Sequence, residues 1–154
     1  MDLIDSNYWS SVHQLLGELD RDIAALYTER GIDGVRTRFV GPLIALGRFG
    51  PHTVQELADR RQVTHSAMSQ TVAAMRKEGL VESTPGPDGR TRSVRLTARA
   101  EHLVPFMMAE WRATEATTRA LDAELPYPLV KVVEDIRAAL ARRSFPDRLK
   151  DNLP

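Results

Sequence analysis

TVQELADRRQVTHSAMSQTVAAMRKEGLVESTPGPDGRTRSVRLT, residues Thr53 to Thr97, is the stretch around which the rest of the chain is arranged. It opens on Thr53-Val54-Gln55-Glu56, a capping-box pattern. The threonine hydroxyl accepts from the Glu56 N–H, and the Glu56 carboxylate reaches back to the Thr53 N–H. Val54, Leu57 and Ala58 take the inner side of a short helix ending near Arg61-Gln62. Thr64 caps a second helix. At about 100° per residue, Met68, Val72 and Met75 share one side of it. Ser66, Ser69, Gln70, Ala73 and Lys77 share the other, with Arg76 at the edge. Gly79 is placed to close this helix in a left-handed cap and fold Leu80 back. Val81-Glu82-Ser83 and Val94-Arg95-Leu96 alternate as strands do. Between them, Pro85-Gly86-Pro87-Asp88-Gly89-Arg90 is dense in turn formers. The spacing predicts helix, turn, helix and hairpin, with Arg90 and Arg92 projecting from the hairpin loop.

The flanks predict further helices. Val12, Leu15, Leu16, Leu19, Ile23 and Leu26 recur at three- and four-residue steps between Ser6 and Arg30, and Gly31 is a stop. A second helix is expected from about Val35 to Arg48, begun or bent at Pro42. A long one follows from Ala98 to about Glu124 on a Leu103-Met107-Trp111 stripe, started or kinked at Pro105. A last one, about Pro128 to Arg143, carries Leu129, Val132, Val133, Ile136 and Leu140, with Pro128 at its first position. The tail from Ser144 reads as polar chain with Phe145 and Leu149 as anchors.

Composition narrows the function classes. The 154 residues contain no cysteine, which removes disulfides, thiol catalysis and the commonest zinc sites. The four histidines, His13, His52, His65 and His102, have no pair at ligand spacing, so no metal and no cofactor is expected. No nucleophile–base set or phosphate loop is visible, so no enzyme is expected. No run approaches the roughly 18 apolar residues of a membrane span. The first ten residues hold two acids and no base, the wrong sign for a targeting segment, and a cytoplasmic location is expected. Net charge is zero, but from Pro51 to Ala100 eight bases meet five acids. A basic middle on an acidic frame is a local footprint for an anionic partner.

That partner is expected to be duplex DNA. A helix enters the major groove when its leading side chains are short, as Ser66, Ser69 and Ala73 are, and Gln70 can pair with an adenine edge. Thr64 and His65 head the same helix, His65 within reach of bases or phosphates; Arg76 and Lys77 fall one to two turns on, where phosphates lie. Thr53 offers a helix N-terminus to another phosphate. Arg90 and Arg92 suit a minor groove, where potential is most negative.

Glu56-Leu57-Ala58, the run Ser69-Gln70-Thr71-Val72 through Gly79-Leu80-Val81, and Asp88-x-Arg90-x-x-x-Val94-x-Leu96-Thr97 together resemble the winged helix-turn-helix of the MarR (multiple antibiotic resistance regulator) family. One departure is Ala100, where the family often has Gly. The resemblance implies a mainly α fold with a small β-hairpin wing in one MarR-like domain, 1–154. The winged helix-turn-helix spans about 36–97, and dimerisation helices span about 6–30 and 98–143. It implies a homodimeric transcriptional repressor on a pseudo-palindromic site, with half-sites about one helical turn apart. By carry-over, Ser66, Ser69 and Gln70 read bases, Arg90 enters the minor groove and Asp88 orients it. A small, often aromatic, effector is implied too, with Trp9, His13, Arg38, Phe39, Met107 and Trp111 as candidate lining. The competing reading is a winged helix used for protein contact without DNA. The basic wing of Arg90, Arg92 and Arg95 argues against it.

Overall fold

The computed structural model describes residues 7–86, 89 and 91–153. The chain divides into two compact units, Met1–Met108 and Ala109–Pro154. Among the described residues, seven helices and a two-stranded hairpin follow in the order α1 (Ser10–Glu29), α2 (Thr37–Phe49), α3 (Val54–Arg61), α4 (His65–Lys77), β1 (Val81–Pro85), β2 (Arg92–Leu96), α5 (Ala98–Glu124), α6 (Leu129–Arg142) and α7 (Phe145–Asn152). Among the described residues, no helix is long and apolar enough to cross a membrane.

In the first unit one apolar side of each element meets a common core. Phe39, Leu43, Leu57, Met75, Leu80 and Met107 are fully buried there, and Val40, Leu46, Met68, Val72 and Val94 nearly so. Burying each such side chain contributes about 1.5–3 kcal/mol, against the entropy of ordering the chain. Pro42 sits inside α2 without starting it. Its ring is buried among these residues, which offsets the hydrogen bond its nitrogen cannot donate. Pro105 is likewise interior to α5.

α1 starts at Ser10 because Asn7 closes a turn just before it. The Trp9 N–H donates to Asn7 Oδ1 at 3.0 Å and the Ser10 N–H to Asn7 O at 2.9 Å. The expected start at Ser6 lies outside the described residues. At the other end Gly31, at φ +67°, lets the Ile32 N–H turn back to Tyr27 O. Tyr27 is the one buried residue of α1, edge-on to Phe106 at 5.2 Å. Along its stripe Leu19 and Ile23 are half-buried, while Val12, Leu15, Leu16 and Leu26 are exposed.

The hairpin pairs Val81 with Leu96 and Ser83 with Val94, and extends to Pro85 opposite Arg92. His52 adds a rung that the sequence did not announce. It exchanges backbone hydrogen bonds with Val94 at 3.1 and 2.7 Å, tying the segment before α3 to β2.

The second unit contains the rest of α5 and two further helices. Asp122 accepts from the Leu129 N–H at 2.6 Å, so a carboxylate caps α6 and Pro128 is its N-cap rather than its first residue. The tail is α7, not polar coil. Ser144 accepts from the Asp147 N–H, Pro146 stands in the first turn, and Arg148 donates to Ala139 O at the end of α6. No residue of α6 or α7 is buried.

α3 is held at both ends, and both holds are testable. The Thr53 N–H donates to Glu56 Oε2 at 2.7 Å, and the Glu56 N–H donates to Thr53 Oγ1 at 3.2 Å. The donation from the Thr53 N–H, then one from the Thr53 hydroxyl to the same oxygen, with His52 and Arg60 nearby, hold the Glu56 carboxyl below its ordinary value. A lowered folded pKa gives stability that is present above the unfolded value, about 4.3, and lost as pH falls through the folded one. The wild type is therefore expected to lose more melting temperature between pH 6 and pH 3 (round-number bounds, about the range that brackets that value) than Glu56→Gln does; equal losses would contradict the box. At the C-terminus Gln62 adopts φ 54°, a left-handed conformation that costs an L-residue about 1–2 kcal/mol. Gln62→Gly is expected to raise stability by up to about 1 kcal/mol in urea titration, less whatever the Gln62 side-chain bond to Asp59 O at 2.8 Å supplies.

Candidate nucleic-acid interface

The face of α4 is fixed from beneath. Thr64 caps the helix, accepting from the Ala67 N–H at 3.2 Å. Met68, Val72 and Met75 are buried. The opposite side therefore faces outward: His65, Ser66, Ser69, Gln70 and Ala73 are all exposed, followed by Arg76 and Lys77 in the last turn. This is the face the periodicity assigned. Gly79, at φ +68°, closes the helix, and the Leu80 N–H donates to Met75 O at 2.9 Å. Leu80 is then fully buried, and the chain leaves at once into β1.

The charged residues are more committed than the sequence suggested. Arg76 Nη2 donates to Ser83 Oγ at 2.8 Å, joining the end of α4 to the wing strand. Arg95 grips the Glu82 carboxylate across the hairpin at 2.7 Å. Arg99 donates to two backbone carbonyls, Glu78 O and Asp33 O, both at 2.6 Å. Arg60 lies over the exposed Phe49 ring, 4.2 Å from its centroid. Arg92 is exposed on β2, beside the loop. Asp88 and Arg90, the two wing-tip residues singled out in the sequence, lie outside the described residues.

Thr53 differs from expectation in its surroundings. Its N–H and hydroxyl both donate to Glu56 Oε2, so an anion already stands at the start of α3. A phosphate reaching this point would have to displace or share with that carboxylate, because like charges repel. Ser83, His52 and Arg99 are the residues of this region that sequence reasoning passed over. Nothing local marks them, since each acts on a partner seven or more positions away.

The candidate effector residues differ in burial and in the unit that carries them. Phe39 and Met107 are fully buried core residues. Trp9 and His13 are exposed, with His13 Nδ1 2.9 Å from Trp9 O. Arg38 is exposed, its guanidinium 5.5 Å from the Phe39 ring centroid. Trp111 belongs to the second unit. A shallow cleft of about 610 Å³ lies elsewhere in the first unit, between Leu46, Pro51, Leu96, Val104 and Pro105, with Glu82, Arg95 and Glu101 at its polar side. None of the six candidates lines it.

Residues 43–91 match a model of the MarR family. Curated protein sequences give no match. Among solved structures, the chain is similar to a probable transcriptional regulator from Pseudomonas aeruginosa, at 25% identity, covering 92% of this chain and 98% of that one, TM-score 0.53. It is similar in fold to MepR of S. aureus, solved as a DNA complex, at 16% identity, 90% and 96% coverage and TM-score 0.60. The heme sensor protein PefR, solved with heme and carbon monoxide, shares the fold at 14% identity, 92% and 97% coverage and TM-score 0.60. It is the stretch from α2 to the wing, residues 43–91, that matches the MarR family's model, and over nearly its whole length the chain is similar in fold to solved winged-helix proteins.

Proposed function

We propose that the chain is a sequence-specific double-stranded DNA-binding regulator, a homodimeric repressor whose release is set by a small ligand. One observation carries the DNA reading. A rigidly seated helix turns His65, Ser66, Ser69 and Gln70 outward with Arg76 and Lys77 behind them, and a hairpin stands directly beside it. Short polar side chains permit close approach to base edges, and cations at the far end meet the backbone. MepR, of the same fold, is solved bound to DNA. On this reading Ser66, Ser69 and Gln70 read bases, Thr64 and His65 sit at the groove edge, Arg76, Lys77 and Thr53 meet phosphates, and Arg90 and Arg92, with Asp88 orienting, enter the minor groove.

The homodimer rests on uncovered apolar surface in each unit. In the first, Val12, Leu15 and Leu16 of α1 are exposed; in the second, Leu129, Val132 and Val133 of α6 are. Both sets recur at three- and four-residue steps, the spacing of a helix face that packs. The effector reading is supported by the family and by PefR, a heme sensor of the same fold. On this chain a ligand that reaches Phe39 and Met107, two of the candidate residues in the first unit, has to open core packing there, so its binding and a change of shape are coupled.

Duplex binding measured over a salt series tests the reading. Affinity should fall steeply with salt, and Arg90→Ala should lower the slope by about one, while Arg95→Ala should leave it unchanged because Glu82 already meets that charge. A slope that Arg90→Ala does not move would remove the minor-groove role. Sedimentation at micromolar concentration should give twice the 17.3 kDa chain mass, and Leu16→Glu should shift it toward the monomer; a wild type that sediments as monomer would sink the homodimer.

A further inference from the structure

The recognition helix α4 is fixed at its far end by a residue that lies outside it. Its C-cap is Glu78, whose carbonyl has no partner within the helix. Arg99, in the first turn of α5, donates Nη1 to that carbonyl at 2.6 Å. The same guanidinium donates Nη2 to Asp33 O, also at 2.6 Å, in the connector between α1 and α2. The Glu78 side chain leans on that connector too. A Cβ at Gly34, which sits at φ +75°, would come within 2.7 Å of Glu78 Oε2. Next to Arg99, Thr97 Oγ1 donates to Gly79 O at 2.8 Å, and the Thr97 N–H donates to Leu80 O at 3.1 Å. Three segments distant in sequence therefore meet where α4 ends, and one side chain spans them.

We propose that Arg99 is a positioning residue for DNA reading, a role that rests on the DNA-binding function proposed above. The chemistry of the joint explains the residue type. The C-terminus of a helix carries partial negative charge, which a cation complements. A planar guanidinium presents two nitrogens in a fixed fork and bridges two carbonyls; a lysine offers one nitrogen. The geometry explains the consequence. A thirteen-residue helix is about 20 Å long, so a tilt of about 5° at its C-terminal end moves the N-terminal side chains by about 1.7 Å. That displacement breaks hydrogen bonds to base edges, which fail beyond about 3.5 Å. Contacts to phosphates by flexible side chains tolerate it. Arg99 thus acts on sequence-specific binding and leaves the general attraction to duplex alone.

The test uses the full chain and two duplexes, one selected from a random pool and one of unrelated sequence, each titrated over a salt series with melting curves confirming folded protein. Arg99→Ala is expected to weaken the selected duplex by about tenfold or more, comparable to losing one base-pair contact, with the unrelated duplex and both salt slopes unchanged. Arg99→Lys should recover only part of the loss. A fall of about one in the salt slope would show Arg99 touching phosphate itself, and equal weakening of both duplexes, or none, would reduce the joint to plain stability; each overturns the proposal. If Arg99→Ala does not fold, Arg99→Lys is judged by the same outcomes. A wild type with no salt-dependent affinity for any duplex would instead sink the DNA reading, a separate failure.

Discussion

Burying one side of α4 obliges the other side to face water. Met68, Val72 and Met75 are nearly or fully closed off, and with a helical repeat of about 3.6 residues that leaves Ser66, Ser69, Gln70 and Ala73 no choice of direction. The rest of the first unit exists around that burial. α2 supplies Phe39, Leu43 and Leu46, α3 supplies Leu57 and Ala58, and the hairpin supplies Val81 and Val94. None of these outward side chains contributes to the core, so the outer face is free to vary in sequence without loss of fold. That separation is what lets one scaffold carry many recognition faces.

The basic character of the middle stretch is only partly available to a partner. Of the eight bases from Pro51 to Ala100, at least four are engaged by the chain itself: Arg60 on Phe49, Arg76 with Ser83, Arg95 with Glu82, and Arg99 on two carbonyls. An engaged arginine keeps its field but not its freedom. Arg76 is the instructive case. Its bond to Ser83 fixes the spacing between α4 and β1, and a guanidinium has further N–H groups with which to meet a phosphate. The hairpin and α4 are therefore joined side by side, not two elements on a tether.

Legibility followed the range of the interactions. Features closed within four or five residues were readable: the Thr53–Glu56 box, the Thr64 cap, the Gly31 and Gly79 stops, and the inner and outer faces of α4. Their signals are residue types at fixed offsets. Features closed across the chain were not. The His52–Val94 rung, the Arg95–Glu82 pair and the Arg99 joint depend on which segments tertiary packing brings together, which no local pattern records. α7 is different, for its signal was present. Ser144-Phe145-Pro146-Asp147 is an N-cap with proline and an acid in the first turn, and the mostly polar run of Asp147, Arg148, Lys150, Asp151 and Asn152 concealed it. Pro42 was expected either to start or to bend its helix, and it does not start α2. A proline predicts a helix boundary from its missing donor, but a ring buried in a core pulls the other way, and here burial prevailed.

The apolar faces of α1 and α6 set a condition that a single chain does not meet. Leu15 and Leu16 are half exposed, and in α6 Leu129, Val132 and Val133 line up while Lys131 pairs with Asp135 at 3.1 Å on a different side. Leaving such stripes in water forgoes about 25 cal/mol for each Å² that packing would cover. The homodimer proposed above covers them with a second copy, and it assigns those helices a further duty. If two recognition helices read one duplex, their separation is set by the helices that join the protomers. Arg99 fixes α4 to the α1–α2 connector and to the first turn of α5. The spacing between half-sites would then be written in residues that never touch DNA, and each α4 would be held to that spacing by its C-terminal end.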